Sequence, residues 1–149
     1  MKDEDQPKLV FPALGRLYAH LSPYSCAFMR FCTGAILTPH GFQKLLADST
    51  QVGSMERLGL APPIFWAYLV ACTEGFGGIL LAIGLFTRFA ALAIAIEMAV
   101  ITFALQWPNG YFWTQRGFEY PLFLGLLSVA VFFKGGGRYS VDHALGKEL

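Results

Sequence analysis

Residues 64–107 read IFWAYLVACTEGFGGILLAIGLFTRFAALAIAIEMAVITFALQW. It contains two long apolar runs, at 64–86 and 89–107. Each run is close to the length of about 20 residues that a helix needs to cross a bilayer. Because only Thr87 and Arg88 separate the runs, the two helices must be antiparallel neighbours. The stretch therefore predicts a helical hairpin embedded in a membrane.

The whole chain has the composition of a small integral membrane protein. Of its 149 residues, 55% are hydrophobic and 14% are charged, and the mean hydropathy is +0.50. Further apolar segments occur at 25–46 and 118–133, each bounded by polar or helix-breaking residues. We therefore predict an all-α fold, an integral membrane bundle of four transmembrane helices at 25–46, 64–86, 89–107 and 118–133.

An amphipathic segment precedes the first predicted span. Its apolar residues recur at spacings of three and four, and they are Phe11, Leu14, Leu17, Tyr18 and Leu21. This spacing predicts a short helix on the membrane surface; the alternative is a disordered tail. The chain then divides into a cytoplasmic or interfacial segment at 1–24, the transmembrane bundle at 25–134 and a cytoplasmic tail at 135–149. We expect no removable signal peptide, because the first residues are acidic and no apolar core with a cleavage site follows them.

Lysine and arginine residues in the short connections set the expected orientation, because cytoplasmic flanks are enriched in them. One side of the predicted bundle collects Lys2, Lys8, Arg16, Arg88, Lys134, Arg138 and Lys147, and the other collects Arg57 and Arg116. We therefore expect both termini in the cytoplasm. A net charge of +1 and the lack of a basic run argue against a nucleic-acid partner.

The predicted spans contain ionisable residues, which are costly in lipid unless they are paired or hydrated. They are Arg30, His40, Lys44, Glu74, Glu97 and Glu119. Their expected depths predict one ion pair of Arg30 with Glu97 and another of Lys44 with Glu119, while Glu74 can turn to either pair. These six residues are the candidate lining of a polar, ligand-binding cavity.

The charges of this set do not balance. Two cations and three carboxylates leave an excess negative charge in a medium that penalises it. Either His40 is protonated, therefore, or one carboxyl holds a proton. Such a carboxyl is a candidate proton donor and acceptor, and Glu74 is the first candidate. The alternative is a buried polar network that only fixes which helices pack together.

Glycines on the charged faces of the first two spans let another helix backbone approach closely. They are Gly34, Gly41, Gly77 and Gly78. In the segment TPHGFQK, at 38–44, Pro39 frees a backbone carbonyl, while His40 and Lys44 supply donors. This segment is therefore predicted to form a kinked wall of the polar cavity.

The cysteines do not suggest a metal centre or a disulfide framework. Cys26, Cys32 and Cys72 lie within apolar segments and form no C-x-x-C motif. We expect them to pack as small apolar residues, and we predict no metal site.

Several of these features also carry a likeness to a known family. In chain order, they are Arg30, His40-Gly41 with Lys44, LGLAPP at 58–63, Glu74 with Gly77-Gly78, GLFTR at 84–88, NGYFW at 109–113, GFEY at 117–120 and GGGRYSVD at 135–142. Together they resemble the DoxX family. The resemblance implies a four-helix bundle in the bacterial inner (cytoplasmic) membrane, with GGGRYSVD as the cytoplasmic exit from the last helix. Within that segment, Ser140 can cap a short helical turn and Asp142 can hold the chain in place.

The resemblance also implies a function. The family takes its name from small subunits associated with a thiosulfate:quinone oxidoreductase, so a redox-associated accessory subunit linked to a quinone is expected. His40, Lys44 and Glu119 can bond a quinone oxygen, and nearby aromatic side chains can hold its ring. No covalently bound cofactor is expected, and electrons would come through a redox partner protein or be carried by a diffusible quinone.

Two other functions stay open at this point. The chain could be a structural or assembly subunit without chemistry of its own, in a larger complex or a homo-oligomer. It could also bind or transport a small molecule or lipid.

Overall fold

The computed structural model describes residues 9–46 and 50–147, and every regular element in those ranges is helical. The α-helices are α1 (Gly15–Leu21), α2 (Ser25–Leu46), α3 (Thr50–Arg57), α4 (Pro63–Cys72), α5 (Gly78–Ile83), α6 (Thr87–Val100), α7 (Glu119–Lys134) and α8 (Val141–Leu145). Two π-helical segments follow α4 and α6, at Thr73–Gly77 and Ile101–Gln106, and short 3-10 turns occupy Pro12–Leu14, Ser22–Tyr24, Trp107–Asn109 and Trp113–Gln115. The predicted all-α class is confirmed.

Long helical segments occupy all four of the predicted spans. α2 has the predicted bounds, the second segment runs from Pro63 to Ile83 through the first π-helical segment, and the third runs from Thr87 through the second. Within the described ranges, two helices are long and apolar enough to cross a membrane, Pro63–Ile83 and Thr87–Asn109. α7 has 16 residues, and α2 carries several polar side chains. Length and composition alone therefore identify two crossings rather than four.

The four segments pack around a common apolar core. α6 lies along α7, and α2 lies along α5 and the first π-helical segment. The buried core residues are Leu37, Leu81, Ala90, Ala91, Ile94, Met98, Leu124 and Val131. Large apolar side chains such as Phe31, Phe89 and Phe123 are exposed instead. An exposed surface that is this apolar is typical of a protein that contacts another apolar phase.

Glycines bring the backbone of α2 against the second segment. A Cβ atom on Gly34 would overlap the carbonyl oxygen of Gly78, and one on Gly41 would overlap the backbone of Gly75. Gly77 is different, because a Cβ atom there would lie 3.9 Å from the side chain of Ile94, an ordinary contact. Close approach therefore depends on two glycine pairs, one at each half of α2.

The N-terminal segment forms the short helix that the sequence predicted. Its centre is α1, with 3-10 turns before and after it. No residue of α1 is buried, and the predicted apolar side chains are exposed; these are Phe11, Leu14, Leu17, Tyr18 and Leu21. The helix therefore presents an apolar surface that nothing else in the described chain covers. Residues 1–8, 47–49 and 148–149, which the sequence assigned to the termini and to the first connection, lie outside the described residues.

The C-terminal segment is fastened to the turn between α5 and α6. Asp142 is 3% exposed, and its carboxylate accepts hydrogen bonds from the backbone N–H groups of Phe86 and Thr87, both at 2.8 Å, and from Thr87 Oγ1 at 2.6 Å. The N–H of Asp142 donates to the carbonyl of Gly84 at 2.9 Å. Ser140 caps α8, accepting a bond from the N–H three residues later. The roles predicted for Ser140 and Asp142 are confirmed.

Candidate functional site

A buried ion pair lies where α2 meets the first π-helical segment. The Nζ atom of Lys44 lies 2.6 Å from Oε1 of Glu74, and the two side chains are 19% and 4% exposed. The contact follows from the packing, because Gly41 lets α2 approach the backbone of Gly75 and so brings the next turn of α2 against Glu74. The sequence assigned Lys44 to Glu119, whereas the structure pairs it with Glu74.

Glu97 lies beside this pair, and its carboxyl is close to that of Glu74. It belongs to α6, which contacts the first π-helical segment, and it is only 8% exposed. Neither of its carboxylate oxygens has a hydrogen-bond partner among the described residues, and the same is true of Oε2 of Glu74. Glu97 is close enough to both Glu74 and Lys44 to interact with them electrostatically. Three buried acceptor oxygens therefore face a cluster that contains one ammonium group.

The backbone around Glu74 departs from regular α-helix. Glu74 lies in the π-helical segment Thr73–Gly77, which interrupts α4 and α5. A second such segment, Ile101–Gln106, begins four residues after Glu97 and contains Thr102, whose buried hydroxyl also has no partner in the described chain. Single π-helical turns occur frequently at functional sites. Neither segment was predicted, because no residue type marks a π-helical turn reliably.

Arg30 is buried elsewhere and does not pair with Glu97. It is 2% exposed, and its guanidinium donates to the carbonyls of Leu81 at 3.0 Å, Ala82 at 3.1 Å and Tyr139 at 2.7 Å. Two of these carbonyls lie in the last turn of α5, where no helical N–H is available to them. Glu97 is ten residues into α6 from this end of the bundle, a distance of about 15 Å along the helix. The predicted Arg30–Glu97 pair is therefore not formed.

Glu119 has a local role instead of pairing with Lys44. Its Oε1 atom accepts a hydrogen bond of 3.0 Å from the backbone N–H of Trp113. This bond, with two backbone bonds between 110–111 and 118–119, closes the connection that leads into α7. Glu119 thus holds the loop that carries the aromatic residues at 111–113, at the edge of the site rather than within the buried cluster.

His40 also lies outside the buried cluster. Its side chain is exposed, and Nδ1 donates to the carbonyl of Ile36 in the previous turn at 2.9 Å. α2 continues as one helix through Pro39. The face of α2 that bears Gly41 and Lys44 turns inward, whereas His40 turns outward.

Tyr120 connects the buried cluster to the surface, and the sequence did not identify it. Its ring centroid is 6.1 Å from that of His40, and it interacts electrostatically with Glu74. It also lines an open groove of about 460 Å³ with Tyr111, Trp113, Glu119 and Phe123. The motif GFEY contains Tyr120 directly after Glu119. Adjacent residues lie on different faces of a helix, so Tyr120 could have been considered separately from Glu119. Tyr120 therefore lines the groove and also interacts with Glu74 of the buried cluster.

Comparison with known proteins places the chain among membrane proteins. A family model named DoxX matches residues 25–107. An uncharacterized membrane protein of Mycobacterium tuberculosis is 30% identical, with 91% of this chain and 90% of the relative covered. An uncharacterized protein of Haemophilus influenzae is 32% identical over 85% of this chain and 94% of its own length. A Bacillus subtilis relative, named "Putative oxidoreductase CatD", is 32% identical over 69% of this chain and 75% of its own. No solved structure matches the chain.

Proposed function

Because the chain belongs to the DoxX family of membrane proteins, we propose that it is an accessory membrane subunit that handles protons and a quinone for a redox partner. One observation carries this proposal. Glu74 and Glu97 place three buried oxygens that accept no hydrogen bond from the described residues beside Lys44, and Tyr120 of the aromatic groove interacts with Glu74. Buried polar atoms of this kind are rare unless they serve a purpose.

The first part of the proposal is the topology. All four long segments cross the bacterial inner membrane, and both termini are cytoplasmic. α2 and α7 pack lengthwise against the two apolar segments, and their exposed side chains are largely apolar too. The excess of Lys and Arg at the end of the bundle that holds both termini supports the orientation.

Cysteine labelling tests this topology. In a variant without Cys26, Cys32 and Cys72, single cysteines replace Ser54, Thr114 or Ala144 in intact cells. We expect a membrane-impermeant maleimide to label positions 54 and 114 from outside the inner membrane and position 144 only after lysis. Labelling of 54 or 114 only after lysis would overturn the topology.

The second part concerns a proton. One ammonium and two carboxylates carry a net negative charge, which is costly in a buried site. A proton on one of the two carboxyls makes the cluster neutral and also supplies an O–H donor to an oxygen that now lacks one. Glu97 takes this role more readily than Glu74 does, because Glu74 already accepts the Lys44 ammonium at 2.6 Å.

The third part concerns the aromatic groove, which we propose binds the quinone ring. Aromatic side chains from the 111–113 loop and from α7 surround it, and such groups hold flat rings by stacking. A quinone takes up two electrons and two protons on reduction. The electrons come from the partner, and the cluster passes the protons one at a time, because the carboxyl that gives up the first is protonated again from water before it gives up the second. Tyr120 lines the groove and interacts electrostatically with Glu74, so its hydroxyl is the proton relay in this proposal. The name of the Bacillus subtilis relative supports a redox setting.

The experiment is purification in mild detergent followed by solvent extraction and mass spectrometry. We expect quinone to copurify with the parent chain, and Glu97→Gln to lower proton uptake on quinone reduction in proteoliposomes with a redox partner. Glu56→Gln, on the exposed face of α3, is the matched control. A stoichiometric protein partner without quinone would support the structural subunit instead, and another metabolite would support a binder or transporter.

The packing of the glycines also bears on the structural alternative. A subunit that only assembles a complex would use its small residues to receive another chain. Gly34 and Gly41 already lie against Gly78 and Gly75 of the same chain. These glycines are therefore not available to a partner, and the redox-associated role is the better supported one.

A further inference from the structure

A basic groove lies at the opposite end of α7 from the aromatic groove. It has a volume of about 620 Å³, and it is lined by Lys134, Gly137, Arg138, Ser140, Asp142, His143, Gly146 and Lys147. We propose that it binds the anionic headgroup of a phospholipid. The proposal rests on the topology in the proposed function but not on its chemistry, since none of these residues belongs to the Lys44–Glu74–Glu97 cluster.

The charges that face this groove are mostly positive. The side chains of Lys134, Arg138 and Lys147 are exposed, and no ion pair or hydrogen bond occupies them among the described residues. The one carboxylate in the lining, that of Asp142, is directed away from solvent and accepts three hydrogen bonds from Phe86 and Thr87. The Asp142 carboxylate is therefore stabilised by these bonds and by the charge of Arg30, and the basic side chains are left to attract an anion.

The walls of the groove are held in place by the bundle. The carbonyl of Tyr139 accepts a bond of 2.7 Å from buried Arg30, and the N–H of Asp142 donates to Gly84. Ser140 donates to the carbonyl of Gly137 at 2.7 Å and caps α8. The N–H of Lys147 donates to the carbonyl of Asp142 at 3.2 Å. The basic side chains thus project from a backbone that binding does not have to order, which favours affinity.

The surroundings favour a lipid over a free phosphate ion. α7 ends at Lys134, on the rim of the groove, and one face of the same helix exposes Leu126, Val129 and Phe133. These three residues fall on one face because their spacing is close to helical periodicity. Acyl chains can lie along this face while the headgroup enters the groove. Basic pockets at the cytoplasmic ends of membrane helices bind anionic headgroups in this manner.

Native mass spectrometry of the full-length protein in neutral detergent tests the proposal. The probes are dioleoylphosphatidylglycerol, dioleoylphosphatidylcholine and inorganic phosphate. We expect the parent to retain phosphatidylglycerol in preference to phosphatidylcholine. The variant Arg138→Gln/Lys147→Gln should lose about tenfold in phosphatidylglycerol affinity, because each basic side chain near an anionic surface contributes appreciably to attraction.

Two further variants make the result decisive. Arg57→Gln/Arg116→Gln removes the same charge from the other end of the bundle and should change retention less than about twofold. Arg138→Lys keeps the charge and should retain the lipid. Equal retention by the groove variant and the Arg57/Arg116 control would overturn the proposal. So would binding of inorganic phosphate that displaces phosphatidylglycerol, since the groove would then be a site for a soluble anion.

Discussion

The ammonium of Lys44 and the carboxylate of Glu74, 2.6 Å apart, join the last turns of α2 to the π-helical segment that interrupts the second long helix. Both side chains are largely buried, and the second oxygen of Glu74 and both oxygens of neighbouring Glu97 accept no hydrogen bond in the described chain. The ammonium therefore bonds one carboxyl oxygen of the cluster and leaves three without a donor among the described residues. The charge of this pair affects the stability of the protein, and the glycines that bring α2 against the second long segment affect its packing.

Removing the ammonium should destabilise the protein more than removing the whole pair. Lys44→Met leaves Glu74 buried without a partner beside Glu97, and breaking a buried pair in this way costs about 3 to 5 kcal/mol. The double variant Lys44→Met/Glu74→Gln removes both charges, and we expect it to recover most of that loss. Thermal unfolding in detergent, followed by circular dichroism, measures both. If the double variant is no more stable than Lys44→Met, the pair does not balance charge in the way the structure indicates.

The glycine contacts should tolerate no added methyl group at two positions of α2. Gly34→Ala and Gly41→Ala would place Cβ atoms against backbone atoms of Gly78 and Gly75. Since backbone cannot move aside cheaply, we expect each variant to lose about 1 to 3 kcal/mol of unfolding free energy. Gly53→Ala is the matched control, because a Cβ atom there meets nothing within 4 Å. That change should be neutral or should stabilise α3 by up to about 1 kcal/mol.

The sequence predicted the helices better than the contacts between their side chains. Apolar length and the glycines and prolines at the boundaries placed all four long segments, and α2 has the bounds that the sequence predicted. The motif at 135–142 also predicted the roles of Ser140 and Asp142, because a cap depends on residues that are close in sequence. Contacts between residues that are close in sequence could therefore be predicted from the sequence alone.

The ion pairs could not be predicted in the same way. Pairing depends on how far each helix is shifted along its neighbour, and apolar length fixes that shift only to within a turn or two. An error of one turn, about 5.4 Å, is enough to exchange Glu119 for Glu74 as the partner of Lys44. Arg30 could not be placed either, because its acceptors are backbone carbonyls, which no residue type reveals. Tyr120 was missed because the site was sought among ionisable residues within the spans.

Arg30 should be needed for its shape as well as for its charge. Its Nη1 and Nη2 atoms donate to the end of α5 and to the carbonyl of Tyr139, and a lysine ammonium cannot reach both at once. Arg30→Lys should therefore lose about 1 to 3 kcal/mol of stability through unpaired carbonyls. It should also speed tryptic cleavage after Arg138, because the 135–142 segment loses the hydrogen bond from Arg30 to the carbonyl of Tyr139. Arg57→Lys, on exposed α3, is the control. Unchanged cleavage in Arg30→Lys would show that Asp142 alone holds the segment.

Acid should release the bond between Asp142 and the start of α6. Burial alone would raise the pKa of Asp142, but the hydrogen bonds from Thr87 and Phe86 and the charge of Arg30 outweigh burial and hold the pKa below its ordinary value. A depressed folded-state pKa contributes stability that is present above the unfolded pKa, about 3.9, and is lost as pH falls through the folded pKa.

The test compares unfolding of the parent and of Asp142→Asn between pH 7 and pH 3. At pH 7 the variant should be less stable by about 1.5 to 3 kcal/mol, because charged hydrogen bonds to a helix start are replaced by weaker ones. The difference should shrink as the parent carboxylate becomes protonated, so that the two curves converge below about pH 4. Glu56→Gln, which alters an exposed side chain, should give a curve that follows the parent throughout. Parallel curves for parent and Asp142→Asn would mean that the carboxylate charge adds nothing to this contact.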